Sequence, residues 1–289
     1  MITALKGIDD LLQQRPEWGP WLTVVRTALD ELAHPSWDAA VLRAHAARDA
    51  DAPVLEASTI ALDGRCARRA YQNVMNSAAR IGSAPMASLQ NATSEALDPL
   101  AVLEAALNRN RAQLTRYAGD ANADRDAFCV VAALTAMPLL HACGRRCAPA
   151  LSTTWSQGYC PVCGGWPAFA EVRGIERNRY YRCGDCAGTW QASCLACAYC
   201  GMTDHEQLGS LVPEKEGTGA TIDVCNACRR YLKVFTTLRG TLAAHVMLHD
   251  LATAELDIAA GEHGYTRAGQ CCYALDVKVT GDALPDLAA

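Results

Sequence analysis

The chain has 289 residues, 51% of them hydrophobic and 20% charged, enough apolar material for one large domain or two ordinary ones and too much for a disordered chain. Its net charge of −5 argues against a general nucleic-acid binder, which carries a basic face. Its 15 cysteines are the outstanding feature of the composition.

The opening stretch MITALKGIDDLLQQRPEWG places acidic residues where a signal peptide needs an apolar core, so a cytoplasmic location is expected. In that compartment cysteines point to metal or redox chemistry before disulfides. IDDLLQQ and WLTVVRTALDELAH have helical apolar spacing, the second closing before Pro35. The segment 80–95, RIGSAPMASLQNATSE, looks like a long connection. Next, DPLAVLEAALNRNRAQLTRYAG reads as one helix with Leu100, Leu103, Leu107 and Leu114 on one side. Asp98 is its N-cap, Pro99 its first residue and Gly119 its C-cap. DRDAFCVVAALTAMPLLHACG is apolar nearly all round and reads as the central buried helix, with Pro138 predicted to kink it. Its most apolar run, 128–140, is shorter than the roughly 20 residues of a membrane span. Residues 1–150 are therefore expected to form a helical domain.

From about 155 the pattern changes to glycines, aromatics and C-x-x-C pairs, in short segments such as RYYRC and GTWQASC that suit β-hairpins. Four pairs stand out: Cys160 with Cys163, Cys183 with Cys186, Cys197 with Cys200, and Cys225 with Cys228. Two intervening residues set both sulfurs on one side of a tight turn, where they can fill two vertices of a metal tetrahedron. Gly164 and Gly201 follow the first and third pairs, where a positive φ eases the turn, and they lie 37 positions apart, as Cys160 and Cys197 do. That repetition favours Cys197–Cys200 over the overlapping Cys194–Cys197. Pairing in sequence order gives two sets of four, with 19 and 24 residues between their pairs. An interleaved arrangement, first pair with third, is the alternative that spacing alone leaves open. Four thiolates close a tetrahedral site and leave no position for water or substrate. Zinc and iron both accept such a set.

These segments resemble a known family, the FdhE-type formate dehydrogenase accessory proteins. The resemblance rests on WSQGYCPVCGGWP (155–167), RYYRCGDCAGTW (179–190), CAYCG (197–201), CNACRRYLK (225–233), HDLATAELD and GYTRAG, and covers roughly residues 150–270. In the family the seven positions from the tryptophan to the third pair match Trp190 to Cys197, which leaves Cys194 as an extra. The resemblance implies rubredoxin-like sites able to hold iron, a cytoplasmic location, and contact with the catalytic subunit of a formate dehydrogenase before its export. It implies no turnover of formate. The ending QCCYALDVKV departs from the family's close, which leaves open a different metalloenzyme as client.

After 236, TLRGTLAAHVMLHDLATAELDIAAGEHG reads as one long helix carrying Leu238, Leu242, Val246 and Leu256 and ending at Gly261 or Gly264. The final CCYALDVKVTGDALPDLAA has no clear assignment. Remaining candidates favour structural roles: Cys143 and Cys147 with His141, the vicinal Cys271 and Cys272, His245 with His249, and buried Cys66 and Cys129. Arg229, Arg230 and Lys233, with Arg179 and Arg182, form a modest basic cluster read as a solvated face or a site for an acidic client segment. No phosphate loop, Ser–His–Asp order or nucleophile elbow occurs.

The expected architecture is α+β: a helical domain (1–150), two four-cysteine ribbons (151–193 and 194–235), and a C-terminal helix and tail (236–289) packing back on a ribbon. The expected function is a non-enzymatic accessory protein that binds and matures a redox metalloenzyme. The alternatives are a rubredoxin-like electron-transfer partner of that enzyme and, more weakly, a zinc-ribbon nucleic-acid binder. The sequence does not set the oligomeric state, and a homo-oligomer is compatible with it.

Overall fold

A computed structural model describes residues 2–44, 49–93, 97–151, 155–193, 195–212, 219–269 and 273–281. The chain divides into two compact units, one comprising Met1–Arg48, Val54–Cys143 and Ala274–Ala289, the other Asp49–Pro53 and Gly144–Tyr273. This division differs from the four segments expected: it sets two ribbons and the following helices together and assigns the end of the chain to the first unit.

The first unit is built on helices whose apolar residues recur with the helical period. α1 (Ile2–Gln14) and α2 (Gly19–Leu32) lead to α3 (Gly64–Ala79), whose buried residues Cys66, Ala67, Ala70, Tyr71, Val74, Met75 and Ala78 form one continuous stripe. Asp63 caps α3 by accepting from the Arg65 N–H at 2.8 Å. Glu31, buried on α2, is satisfied by Arg69 at 3.0 Å and Asn73 at 2.8 Å, both on α3. The expected connection at 80–95 instead holds two one-turn helices, α4 (Ala84–Ala87) and α5 (Leu89–Ala92). Leu89 and Ala92 are buried, and the Tyr71 hydroxyl donates to the Ala92 carbonyl at 2.8 Å, so tertiary contacts order a segment with weak helical propensity.

The helix expected from Pro99 to Gly119 is two, α6 (Pro99–Leu107) and α7 (Arg111–Asp120). Asp98 does cap the first. The break comes at Arg109, with φ of +51°, and Asn110 restarts the chain by capping the Gln113 N–H at 3.0 Å. Gly119 lies inside α7, and the positive φ that ends this region belongs to Asn122. The reason for the break lies at the other end of the sequence. Asn108 clamps Val277 from both sides, donating to its carbonyl at 2.9 Å and accepting from its N–H at 2.8 Å. Strand Lys278–Thr280 then pairs in parallel with β2 (Thr59–Ala61), which pairs antiparallel with β1 (Val41–Arg43). This three-stranded sheet corrects the expectation of a purely helical first domain. The sequence underrated it because each strand has only three residues.

α8 (Arg125–Cys147) is the long apolar helix expected, continuous through Pro138 and Gly144. It is long and apolar enough to span a membrane, yet 89% of its most apolar window is buried inside the protein, as befits a core helix.

In the second unit, β3 (Pro167–Arg173), β4 (Asn178–Cys183), β5 (Thr189–Gln191), β6 (Leu208–Leu211), β7 (Ala220–Cys225) and β8 (Arg230–Thr237) make one six-stranded sheet in the order β5-β4-β3-β8-β7-β6. Each ribbon contributes three antiparallel-paired strands, and the two ribbons join where β3 and β8 run parallel. The order third-second-first repeats, so the ribbons follow one another as a tandem repeat within the sheet. Phe169, Ile222, Tyr231 and Phe235 form a core with Val246, Leu256 and Ala260. The last three come from α9 (Val246–Ala252) and α10 (Ala254–Glu262). These two short helices replace the single long one expected. Leu238 and Leu242 are exposed, because Thr241 donates its N–H to buried Glu171 at 2.7 Å and holds the chain in a loop. The helical run therefore starts only after it. Gly264, with φ of +77°, marks its end.

If Asn108 is what ties the C-terminal strand down, Asn108→Ala leaves two backbone groups of buried Val277 without partners. Urea unfolding of the full chain is expected to show a loss of about 2–3 kcal/mol. A change under about 0.5 kcal/mol, the size of an ordinary surface substitution, would mean the strand is held by other contacts.

Candidate metal centres

Four turns of the same construction carry the cysteines. In the first, the Gly164 N–H donates to the Cys160 carbonyl at 2.9 Å; in the third, the Gly201 N–H donates to the Cys197 carbonyl at 3.0 Å; in the fourth, the Arg229 N–H donates to the Cys225 carbonyl at 2.9 Å. The residue after the second cysteine has a positive φ in every case: Gly164 (+67°), Ala187 (+56°), Gly201 (+71°) and Arg229 (+55°). Two are glycines, as the sequence pattern anticipates. Ala187 and Arg229 occupy the same left-handed position without that freedom, and only their place one residue past each pair signals it.

The turns bring the eight thiols together as Cys160, Cys163, Cys183, Cys186 and as Cys197, Cys200, Cys225, Cys228. Within each set the sulfurs lie within 4.8 Å of one another. This grouping is the sequence-order one and not the interleaved alternative. Separations are 3.5 Å for Cys160–Cys186 and 3.4 Å for Cys163–Cys183 in the first set. In the second they are 3.7 Å for both Cys197–Cys228 and Cys200–Cys225. Four ligands about 2.3 Å from a tetrahedral centre lie about 3.8 Å apart, so both sets fit an ion such as zinc or iron. Backbone N–H groups approach the sulfurs: Val162 to Cys160 at 3.4 Å, Asp185 to Cys183 at 3.4 Å, and Tyr199 to Cys197 at 3.4 Å. Such donors delocalise thiolate charge around a metal site.

The electrostatics of the sulfurs point the same way. Burial, with crowding by Cys160 and Cys163, pushes the Cys183 thiol well up; crowding by the neighbouring thiols and then burial do the same to Cys186. Burial raises Cys197 and Cys228. Burial also works against Cys225, but hydrogen bonds from the Cys228 backbone and from neighbouring thiols outweigh it and bring that thiol down. Thiols held up in this way keep their protons until a cation replaces them, so ion capture here releases protons.

The two sets differ in their surroundings. All four cysteines of the first are buried, whereas in the second only Cys225 is; Cys197 and Cys228 are half-buried and Cys200 is exposed. Arg182, grouped with the basic cluster in the sequence reading, is buried beside the first set. It donates to the Ala187 carbonyl at 3.1 Å, and burial draws its pKa down against the opposing pull of Glu171 and the nearby thiols.

Among the described residues, the remaining candidates form no third group of metal-competent side chains. His141, Cys143 and Cys147, all buried, belong to neither cysteine set. His249 stacks on Phe235 at 4.1 Å and meets Phe169 edge-on at 5.1 Å, and its burial lowers its pKa; it is a core ring rather than a ligand paired with His245. Cys194, Cys271 and Cys272 lie outside the described residues. Ion pairing takes up part of the expected basic cluster, while Arg229 stays exposed over the Tyr265 ring. Lys233 is 1% exposed and bridges Asp250 at 2.6 Å and Asp257 at 3.0 Å, and Arg179 pairs with Asp223 at 2.7 Å. Trp166, Tyr180 and Tyr199 are half-buried, and Trp166 meets Tyr199 edge-on at 5.2 Å.

The architecture and its thiol clusters define a class: an α+β protein with tandem four-cysteine ribbons able to bind metal ions. Comparison with known proteins narrows the class. The family model "FdhE, C-terminal domain" matches residues 193–273. Proteins named FdhE homolog match 29% identically over 116 residues in Aquifex aeolicus and 32% over 117 residues in Rhizobium meliloti, each covering 39% of this chain. The matched segment spans 40% and 37% of those relatives' lengths. The crystal structure of the FdhE protein from Pseudomonas aeruginosa shares the fold, with a TM-score of 0.55 at 20% identity, covering 93% of this chain and 94% of that one. Through its C-terminal segment the chain resembles the FdhE family, and it matches well under half the length of those relatives.

The turn geometry separates two otherwise equivalent glycines. A Cβ at Gly164 would lie 2.9 Å from Cβ of Tyr273 and 3.1 Å from Pro53, whereas one at Gly201 would enter open space. Gly201→Ala is expected to cost about 1 kcal/mol, the left-handed penalty alone. Gly164→Ala is expected to cost about 3 kcal/mol by adding overpacking. Urea unfolding of the two metal-loaded variants measures the difference, and equal losses would contradict the distinction.

Proposed function

We propose that the eight cysteines hold two structural-type metal ions, iron or zinc. We further propose that the protein acts as a non-enzymatic cytoplasmic accessory that binds the catalytic subunit of a formate dehydrogenase, or a related redox metalloenzyme, and supports its maturation. The observation that carries this reading is the pair of closed four-thiolate clusters in a segment that includes the match to the FdhE family. Four thiolates leave no vacant position on a tetrahedral ion for hydrolytic chemistry, so the clusters suit folding and recognition. When bound, the ion would neutralise thiolates that otherwise repel one another and fix the turns relative to the sheet. Structural sites of this kind contribute roughly 10–16 kcal/mol to folding. The internal pairing of Arg179, Arg182 and Lys233, with the net charge of −5, argues against the broad basic face a nucleic-acid binder would need.

Elemental analysis of protein purified without air is expected to give two atoms of iron plus zinc per chain for the wild type and for Cys194→Ser, and one for Cys197→Ser. A content near zero in folded protein, or loss of metal in Cys194→Ser, would refute the ligand assignment.

For the accessory role, deleting the gene is expected to lower cellular formate dehydrogenase activity while the catalytic subunit is still made. The purified protein is expected to capture that subunit more strongly from immature than from cofactor-loaded pools. Normal activity in the deletion strain together with capture of another enzyme would change the client. Absence of any protein partner, with binding of DNA or RNA at physiological salt, would overturn the accessory reading.

A further inference from the structure

The two clusters have the same donors and nearly the same geometry but sit in different surroundings, and this difference has a functional consequence. The first is sealed. Its four cysteines are at most 2% exposed, and the backbone closes over them so tightly that a Cβ on Gly188 would lie 3.2 Å from Sγ of Cys186, and one on Gly144 2.7 Å from that residue's carbonyl oxygen. The second is open on two sides. A cavity of about 670 Å³ walled by Trp155, Tyr159, Trp166 and Tyr181 reaches Cys197 and Cys200, and another of about 590 Å³ beside Arg230 and Leu232 reaches Cys197 and Cys225. None of the first cluster's cysteines lines either cavity. Cys200 is the one exposed thiol of the eight, and the space beside the neighbouring Gly201 is empty.

Tetrathiolate sites exchange their ion when an incoming donor approaches and one thiolate leaves, so access for the donor and freedom for the thiolate set the rate. Solvent access around a metal site is itself a determinant of its behaviour. From these observations we infer that the second cluster is an exchangeable metal site with Cys200 as the departing ligand, while the first holds its ion permanently. In the exchange, the Cys200 sulfur leaves as a thiolate and takes a proton from water, and a thiolate or amine donor of the incoming partner occupies the vacated vertex. The cavity above Cys197 and Cys200 admits a partner bearing such a donor. This gives the accessory protein one fixed ion that maintains the sheet and one that a partner's soft ligand can reach. The inference rests on the proposal that the clusters hold metal.

The test uses the full chain loaded with two zinc ions and challenged with a chromophoric chelator in stopped flow. Two phases of equal amplitude are expected, one ion leaving at least about tenfold faster than the other, a difference of the size that outer-shell changes make to metal affinity. Cys200→Ser is expected to abolish the fast phase and keep the slow one. Because that variant could lose structure, the wild-type loaded protein is also alkylated with iodoacetamide and its modified cysteines followed by mass spectrometry. Cys200 is expected to react first, followed by Cys197 and Cys228, with Cys160, Cys163, Cys183 and Cys186 protected. Release in a single phase, a slow phase lost in Cys200→Ser, or equal alkylation of both clusters overturns the inference while leaving the metal assignment intact. A loaded protein that retains no zinc overturns the metal assignment itself, and the inference with it.

Discussion

Four sulfurs within 4.8 Å of one another cannot all be thiolates in the absence of a cation. At the separation of 3.5 Å between Cys160 and Cys186, two unit charges repel by about 5 kcal/mol at an effective dielectric of about 20, and each cluster contains six such pairs. Without a cation the thiols keep protons; burial raises Cys183, Cys197 and Cys228, and crowding by neighbouring thiols together with burial raises Cys186. With a divalent ion, the same crowding becomes the coordination shell. On the proposed metal binding, charge balance at two points organises the second unit more than the breadth of its apolar core does.

The sheet follows from those points. Each cluster clips the turn before a ribbon's first strand to the turn after its second, so the three strands of the ribbon have little freedom left in register. The parallel pairing of β3 with β8 then fuses the ribbons, and one face of the fused sheet requires a cover. α9 and α10 supply it, with Phe235 stacked on His249 and with Lys233, almost wholly buried, tied to Asp250 and Asp257. Breaking such a buried network by removing one partner costs more than the pairing contributes, so Lys233 of the RRYLK segment serves the interior.

The pattern of legibility has a physical basis. The clusters were readable because a C-x-x-C turn is a local geometry: the grouping of the eight cysteines into two sets of four and the positive φ at Gly164 and Gly201 follow from neighbouring residues. α1 and α2 were likewise legible from the helical spacing of their apolar residues, and α8 from its long, nearly all-apolar run. What was not legible depends on partners distant in sequence. The break between α6 and α7 serves Val277, some 169 positions away from Asn108. The loop that displaces Leu238 and Leu242 serves Glu171 on another strand. The interior role of Arg182 and Lys233 depends on which face of a strand meets the helices, which a one-residue change of register would reverse. The burial difference between the two clusters also has no local signature, because all four turns have the same sequence form.

The central claim is that each cluster is an all-sulfur coordination shell. Extended X-ray absorption fine structure at the edge of whichever metal the natively purified protein contains measures that shell directly. The account predicts four sulfur neighbours at about 2.3 Å and no nitrogen or oxygen in the first shell. A first shell containing nitrogen or oxygen at about 2.0–2.1 Å would show that a histidine, carboxylate or water completes a site, and would contradict it.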